Sequence, residues 1–210
     1  AVSAGVSGRV QAARRARRTR ARMGGRLGRE CRVGEPIINQ FVVRCGMSNY
    51  RRFFVPGGTY FFTVNLACRG GSLLTDQIDD LRLAYGRIAG EMPFATRAVV
   101  ILPDHIHAIW TLPDGDSDFP TRWRRIKREF SVSVGTTCSR SVSKARKGEV
   151  GIWQRRFWER CVRNEAELAA TLRYVWGNPV KHGLANRAVD WPYSSVHREV
   201  AAGRLPKWGI

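Results

Sequence analysis

Two histidines separated by one residue, His105 and His107, and a tyrosine four residues ahead of an asparagine, Tyr174 and Asn178, are the residues best suited to chemistry. On a strand, residues i and i+2 leave the same face. Their Cα atoms then lie roughly 6.5–7 Å apart, close enough for two imidazoles to hold one metal ion. The plainer alternative is a pair of packing histidines, since His-x-His is a short pattern. Against it, the chain has only 4 histidines and two of them share this face. Asp104, just before them, is placed to accept a hydrogen bond from a ring and orient it. On a helix, Tyr174 and Asn178 share one face. A tyrosine there is a candidate nucleophile; the alternative is a surface tyrosine with Asn178-Pro179 as an ordinary helix stop, because the residue before a proline disfavours the α region. His182 is a candidate base or simply a satisfied loop histidine.

The elements that must carry these residues follow from periodicity. Residues 59–66 alternate Tyr60, Phe62, Val64 and Leu66 against Thr59, Phe61, Thr63 and Asn65, a strand with one strongly apolar face. Thr75 is read as the cap of a helix striped by Ile78, Leu81, Tyr85 and Ile88, ended by Gly90 and Pro93. Residues 94–102 form a second strand, Pro103-Asp104 turns the chain, and 105–112 return as a third, with Ile106, Ala108 and Trp110 facing the core. Phe119, Trp123, Ile126, Phe130 and Val134 stripe a second helix with Pro120 in its first turn. Residues 135–150 read as a basic surface loop and 152–162 as a fourth strand. Asn164 with Glu167 opens a last helix running to about Gly177. Its buried stripe is Leu168, Leu172, Val175 and Trp176, and Tyr174 falls roughly 145° away from the stripe's centre at ~100° per residue. The order β-α-β-β-α-β plus a helix predicts an α+β, ferredoxin-like antiparallel sheet with its third strand central.

Composition bounds the partner. A net charge of +19 and 7 Trp among 210 residues suit a polyanion, nucleic acid or an anionic membrane surface. No apolar run is long enough for a membrane span. The 5 cysteines are scattered without a CxxC pair, which argues against a disulfide framework and for a reducing cytoplasm. Residues 1–46 hold eleven arginines and two acids and read as a disordered basic arm with the look of a transit peptide; ordered patterning begins at Met47, which is a candidate start of the functional protein. The expected division is an arm (1–46), a domain (47–182) and a C-terminal tail (183–210). Arg122, Arg124, Arg125, Lys127 and Arg128 crowd the polar side of the second helix, and Arg155 and Arg156 flank Phe157 and Trp158 on the fourth strand. That interleaving suits phosphate neutralisation and base stacking, although single arginines are often only solvated charges.

From Met47 to Trp208 the chain resembles the single-tyrosine HUH transposases, specifically the REP-associated tyrosine transposases. The resemblance is carried by MSNYRRFFVPGGTYFFTVNL, LPDHIHAIWTLP, WQRRFWE, LRYVWGNPVKHGL and DWPYSSVHR in that order. It implies His105 and His107 as metal ligands, Asn178 as the third, Tyr174 as the nucleophile, and Mg²⁺ or Mn²⁺ as cofactor. It also implies single-stranded hairpin DNA as substrate, a 5′-phosphotyrosyl intermediate, and a tetranucleotide-reading element near Tyr50, Arg51 and Arg52. A prokaryotic, DNA-associated, cytoplasmic monomer or homodimer is expected, with no membrane partner. The arm and the loop 135–150 match nothing in that family pattern. Two other readings stay open: a non-catalytic nucleic-acid binder on the same fold, and a metal hydrolase, which would need more ligands than His182 and His197 supply.

Overall fold

The computed structural model describes residues 52–135 and 151–205. The readings for the arm, for Tyr50 and Arg51, and for loop residues 136–150 lie outside the described residues.

Strand β1 (Thr59–Asn65) leads through a short helical turn, α1 (Leu73–Asp76), into helix α2 (Ile78–Glu91). Strands β2 (Ala95–Ile101) and β3 (His105–Thr111) follow, then helix α3 (Phe119–Val134), strand β4 (Trp158–Val162) and helix α4 (Glu165–Lys181). A single 3₁₀ turn (Ala188–Asp190) and helix α5 (Val196–Ala201) complete the described chain. All three pairings are antiparallel and the sheet order is β2-β3-β1-β4, so β3 is internal as expected. This is the ferredoxin-like arrangement. No described helix is long and apolar enough to cross a membrane.

Alternation explains why both faces of the sheet are covered. Tyr60, Phe62, Val64, Ile106, Ala108 and Trp110 turn towards α2 and α3, where Trp110 stacks on Trp123 at 4.3 Å between ring centroids. On the reverse face Phe61, Val100 and Ile109 meet Leu168, Val175 and Trp176 of α4. Phe61, on the half of β1 read as less apolar, is therefore buried too. Full burial of each such side chain is worth about 1.5–3 kcal/mol, and the two clusters together clamp the sheet between helical layers.

Three expectations need correction. Thr75 does not cap α2: it sits inside α1, its hydroxyl bonded to the Ser72 carbonyl, and Gln77 precedes α2 instead. The fourth strand is shorter than 152–162. Trp153 bridges Leu66 and Trp158 pairs with Thr63, so five steps of chain oppose three on β1. The surplus bulges out at residues 155–157, taking Arg155 and Arg156 off the ladder and turning Phe157 into the core. Residues 183–205, read as part of a tail, belong to the domain. Tyr193 and Ser195 continue the sheet beside β2 through Ile101 N to Tyr193 O and Ser195 N to Val99 O (2.9 and 2.8 Å), and Ala188 and Val196 are fully buried.

Candidate active site

The central position of β3 sets the first half of the site. His105 and His107 project towards α4, with ring centroids 4.9 Å apart and only 5% and 4% of their surface exposed. Register decides their neighbours: His107 pairs with Thr63, and its Nδ1 lies 3.0 Å from the Thr63 hydroxyl. His105 Nδ1 lies 2.6 Å from Asp104 Oδ1. A carboxylate there accepts, so the His105 proton sits on Nδ1 and the Nε2 lone pair is left for a metal. Thr63 can accept from His107 in the same way. Asp104 is itself braced by Arg69 (2.8 Å) and the Gly70 amide (3.0 Å), and burial notwithstanding, these donors hold its carboxyl below the usual range. Burial lowers both histidines: His105 falls despite Asp104, and His107 is pushed down to about 3, with His105 and His182 adding to the effect. Both rings are thus neutral at pH 7, the state in which imidazole ligates.

Helix α4 supplies the second half. Asn164 caps it by accepting from Glu167 N at 2.8 Å, while the Glu167 carboxylate reaches back to Arg163 N. The buried stripe then lies on β2 and β3 and the helix crosses the histidine face. The Tyr174 ring rests edge-on against His107 (5.5 Å) and Phe61 (5.8 Å), half-buried, within one chain. Asn178 is 1% exposed, and its Nδ2 donates to the Tyr174 carbonyl at 3.1 Å. Its Oδ1 is buried without a hydrogen-bond partner, and its amide bears on the His107 ring.

The helix does not stop at Asn178-Pro179. It runs to Lys181, with Pro179 buried inside it. A proline there forfeits one backbone bond, to the Val175 carbonyl, and the apolar burial of its ring offsets part of that loss. The end comes at Gly183 (φ +67), whose amide bonds to Val180 O. The extra turn matters: Lys181 Nζ reaches 5.3 Å from the centre of the Tyr174 ring, and His182 stands 5.2 Å from His105. Lys181, Arg69 and Thr63 escaped the sequence reading. Lys181 lies seven residues beyond Tyr174, the spacing that would have shown it had the proline not been taken as a stop.

The donors fit a hard or borderline divalent cation. Among the described residues no group of three His, Cys, Asp or Glu is arranged to hold one, so a third ligand beside the two imidazoles has to be of another type. An orphaned amide oxygen, buried where an unmade bond is costly, answers that description. Beside His105 opens a cleft of about 260 Å³ bordered by Arg69, Gly70, Leu102, His182 and Leu184.

The basic residues separate into two kinds. Arg122, expected on the DNA-facing side, is 2% exposed and wholly committed: it donates to the carbonyls of Met92, Pro93 and Asp118 and to the Asp116 carboxylate. It is a structural residue because the α3 stripe and the 92–94 turn close around it. Arg52 pairs with buried Glu159 (3.1 Å) and covers Phe157. Arg125 pairs with Glu91, and Lys127 bonds the Gln154 carbonyl, its amine pulled down to about 8 by burial. Arg124, Arg128, Arg155 and Arg156 are exposed. The α3 cations lie on the opposite side of the sheet from the histidine rings.

No family model matches the chain. It is 45% identical over 160 residues, 76% of its length and 89% of the relative's, to a REP-associated tyrosine transposase of Escherichia coli K12. A relative from Haemophilus influenzae is 47% identical over 166 residues, 78% of this chain and 94% of that one. A solved REP-associated tyrosine transposase bound to a REP hairpin is 44% identical, covers 78% of this chain and 92% of that chain, and superposes with a TM-score of 0.70.

Proposed function

The chain belongs to the REP-associated tyrosine transposases, and from that premise we propose that it cuts and rejoins single-stranded hairpin DNA, with Tyr174 as nucleophile and His105, His107 and Asn178 as ligands of Mg²⁺ or Mn²⁺. One observation carries this reading: the Tyr174 ring packs on His107 while the Asn178 amide oxygen is buried without a partner at the same place.

In the proposed step the Tyr174 hydroxyl oxygen attacks the scissile phosphorus. The Oη–P bond forms, the P–O3′ bond breaks, and the 3′-oxygen departs. The phenolic proton passes to solvent at the half-buried ring, and the departing oxygen takes one up, so protons balance. A bound cation would polarise the phosphate and offset charge on its oxygens. The chain's residues do the rest. Asp104 and Thr63 hold the rings in one orientation, and the α4–sheet packing places the phenol before any substrate arrives, which lowers the entropic cost of attack. Because the linkage keeps the bond energy, a 3′-hydroxyl can reverse the step. Arg124, Arg128, Arg155 and Arg156, which are exposed, are proposed to contact backbone phosphates.

Incubation with single-stranded hairpin oligonucleotides and Mn²⁺ or Mg²⁺, followed by a denaturing gel, tests this reading. A covalent protein–DNA adduct is expected from the wild type and none from Tyr174→Phe, which should still bind the hairpin. An adduct that survives in Tyr174→Phe would remove Tyr174 from the role, and bound hairpins left uncut by the wild type would favour a non-catalytic binder.

A further inference from the structure

The turn of α4 beyond Pro179 brings a cation to the nucleophile. Tyr174, Asn178 and Lys181 stand at i, i+4 and i+7 and so lie along one face. Lys181 Nζ sits 5.3 Å from the Tyr174 ring centre, while Glu167, an acid on the same helix, is bonded to Arg160 and Arg163. Whatever else surrounds the reaction, the phosphorus has to lie one bond from the Tyr174 Oη in the product, and its non-bridging oxygens then fall within the sweep of a flexible four-carbon side chain.

We propose that Lys181 is a catalytic residue: its ammonium contacts a non-bridging oxygen of the scissile phosphate as Tyr174 attacks, and holds the same oxygen in the phosphotyrosyl intermediate. The idea rests on the reading of Tyr174 as nucleophile. It differs from a general basic contact in its timing. Negative charge gathers on those oxygens as the new bond forms, and a cation that meets them at that point stabilises the transition state more than the bound substrate. The exposed arginines of α3, on the other side of the sheet, have no such selectivity.

The test is single-turnover cleavage of a hairpin oligonucleotide that the wild type cuts, with protein in excess, by wild type, Lys181→Met and Lys181→Arg. Hairpin affinity and thermal stability are measured on the same preparations. The expected result is a cleavage rate about 100-fold lower in Lys181→Met, the usual loss on removing one oxyanion donor. Affinity and melting temperature should stay near wild type, and Lys181→Arg should recover most of the rate. Cleavage by Lys181→Met within about threefold of wild type would overturn the proposal. So would a loss that tracks weaker hairpin binding or a lower melting temperature, since either marks Lys181 as an ordinary phosphate contact or a packing residue. The absence of any adduct from the wild type would instead bring down the nucleophile reading itself, so the two failures are distinct.

Discussion

At the scale of single residues, the histidine pair depends on what holds each ring. Asp104 sets the His105 tautomer at 2.6 Å and is pinned by Arg69 and Gly70. Asp104→Asn keeps the shape but removes the charge, and should weaken Mn²⁺ binding about 10–100-fold, as read by calorimetric titration of the free protein. The pH dependence follows from burial. Both rings titrate below 6.5 when folded, His107 at about 3. The unfolded chain therefore takes up protons that the folded chain refuses, and stability should fall as pH drops from about 6.5 towards 3. Melting scans in EDTA at pH 7.5 and 5 should show that fall, and His107→Gln should show a smaller one. The pair was legible because strand spacing alone puts two rings on one face. Lys181 was not: the rule that a proline ends a helix hid the turn that delivers it.

Among elements, α3 shows where charge misleads. Five basic residues on one helix read as a phosphate-binding surface, yet Arg122 turns inward and ties α3 to the 92–94 turn and to Asp116. Composition counts charges without saying which are used internally, and the Arg122 position falls close to the apolar stripe of Phe119, Trp123 and Ile126. Arg122→Met should leave three carbonyls and the partly exposed Asp116 carboxylate without their donor, costing about 1–3 kcal/mol. The expected readout is a large drop in urea midpoint, with hairpin affinity of the folded fraction little changed. Strand β1 was legible from its alternation, although both faces of the sheet are covered and β3 is buried at every position but its last. The break in β4 was not, because the insertion that expels residues 155–157 is visible only once Trp153 and Trp158 are paired with their partners on β1.

For the molecule as a whole, the ferredoxin-like order came from the succession of periodic segments, whereas the role of residues 183–205 did not. Short, polar and proline-containing, the Trp191–Ser195 stretch carries no strand pattern. It is ordered by an existing edge: Ser195 Oγ joins Val99 N and Trp176 Nε1, and Trp191 Nε1 reaches Ile101 O. An open edge is thereby occupied, which guards against pairing with another chain. The packing of Tyr174 on the His107 of its own chain has a genetic consequence. If each polypeptide is self-sufficient, two crippled copies have nothing to lend one another. A mixture of Tyr174→Phe and His107→Ala proteins should form no more adduct than either alone, at any ratio, whereas an exchange of helices between copies would restore activity to a fraction of the mixed pairs.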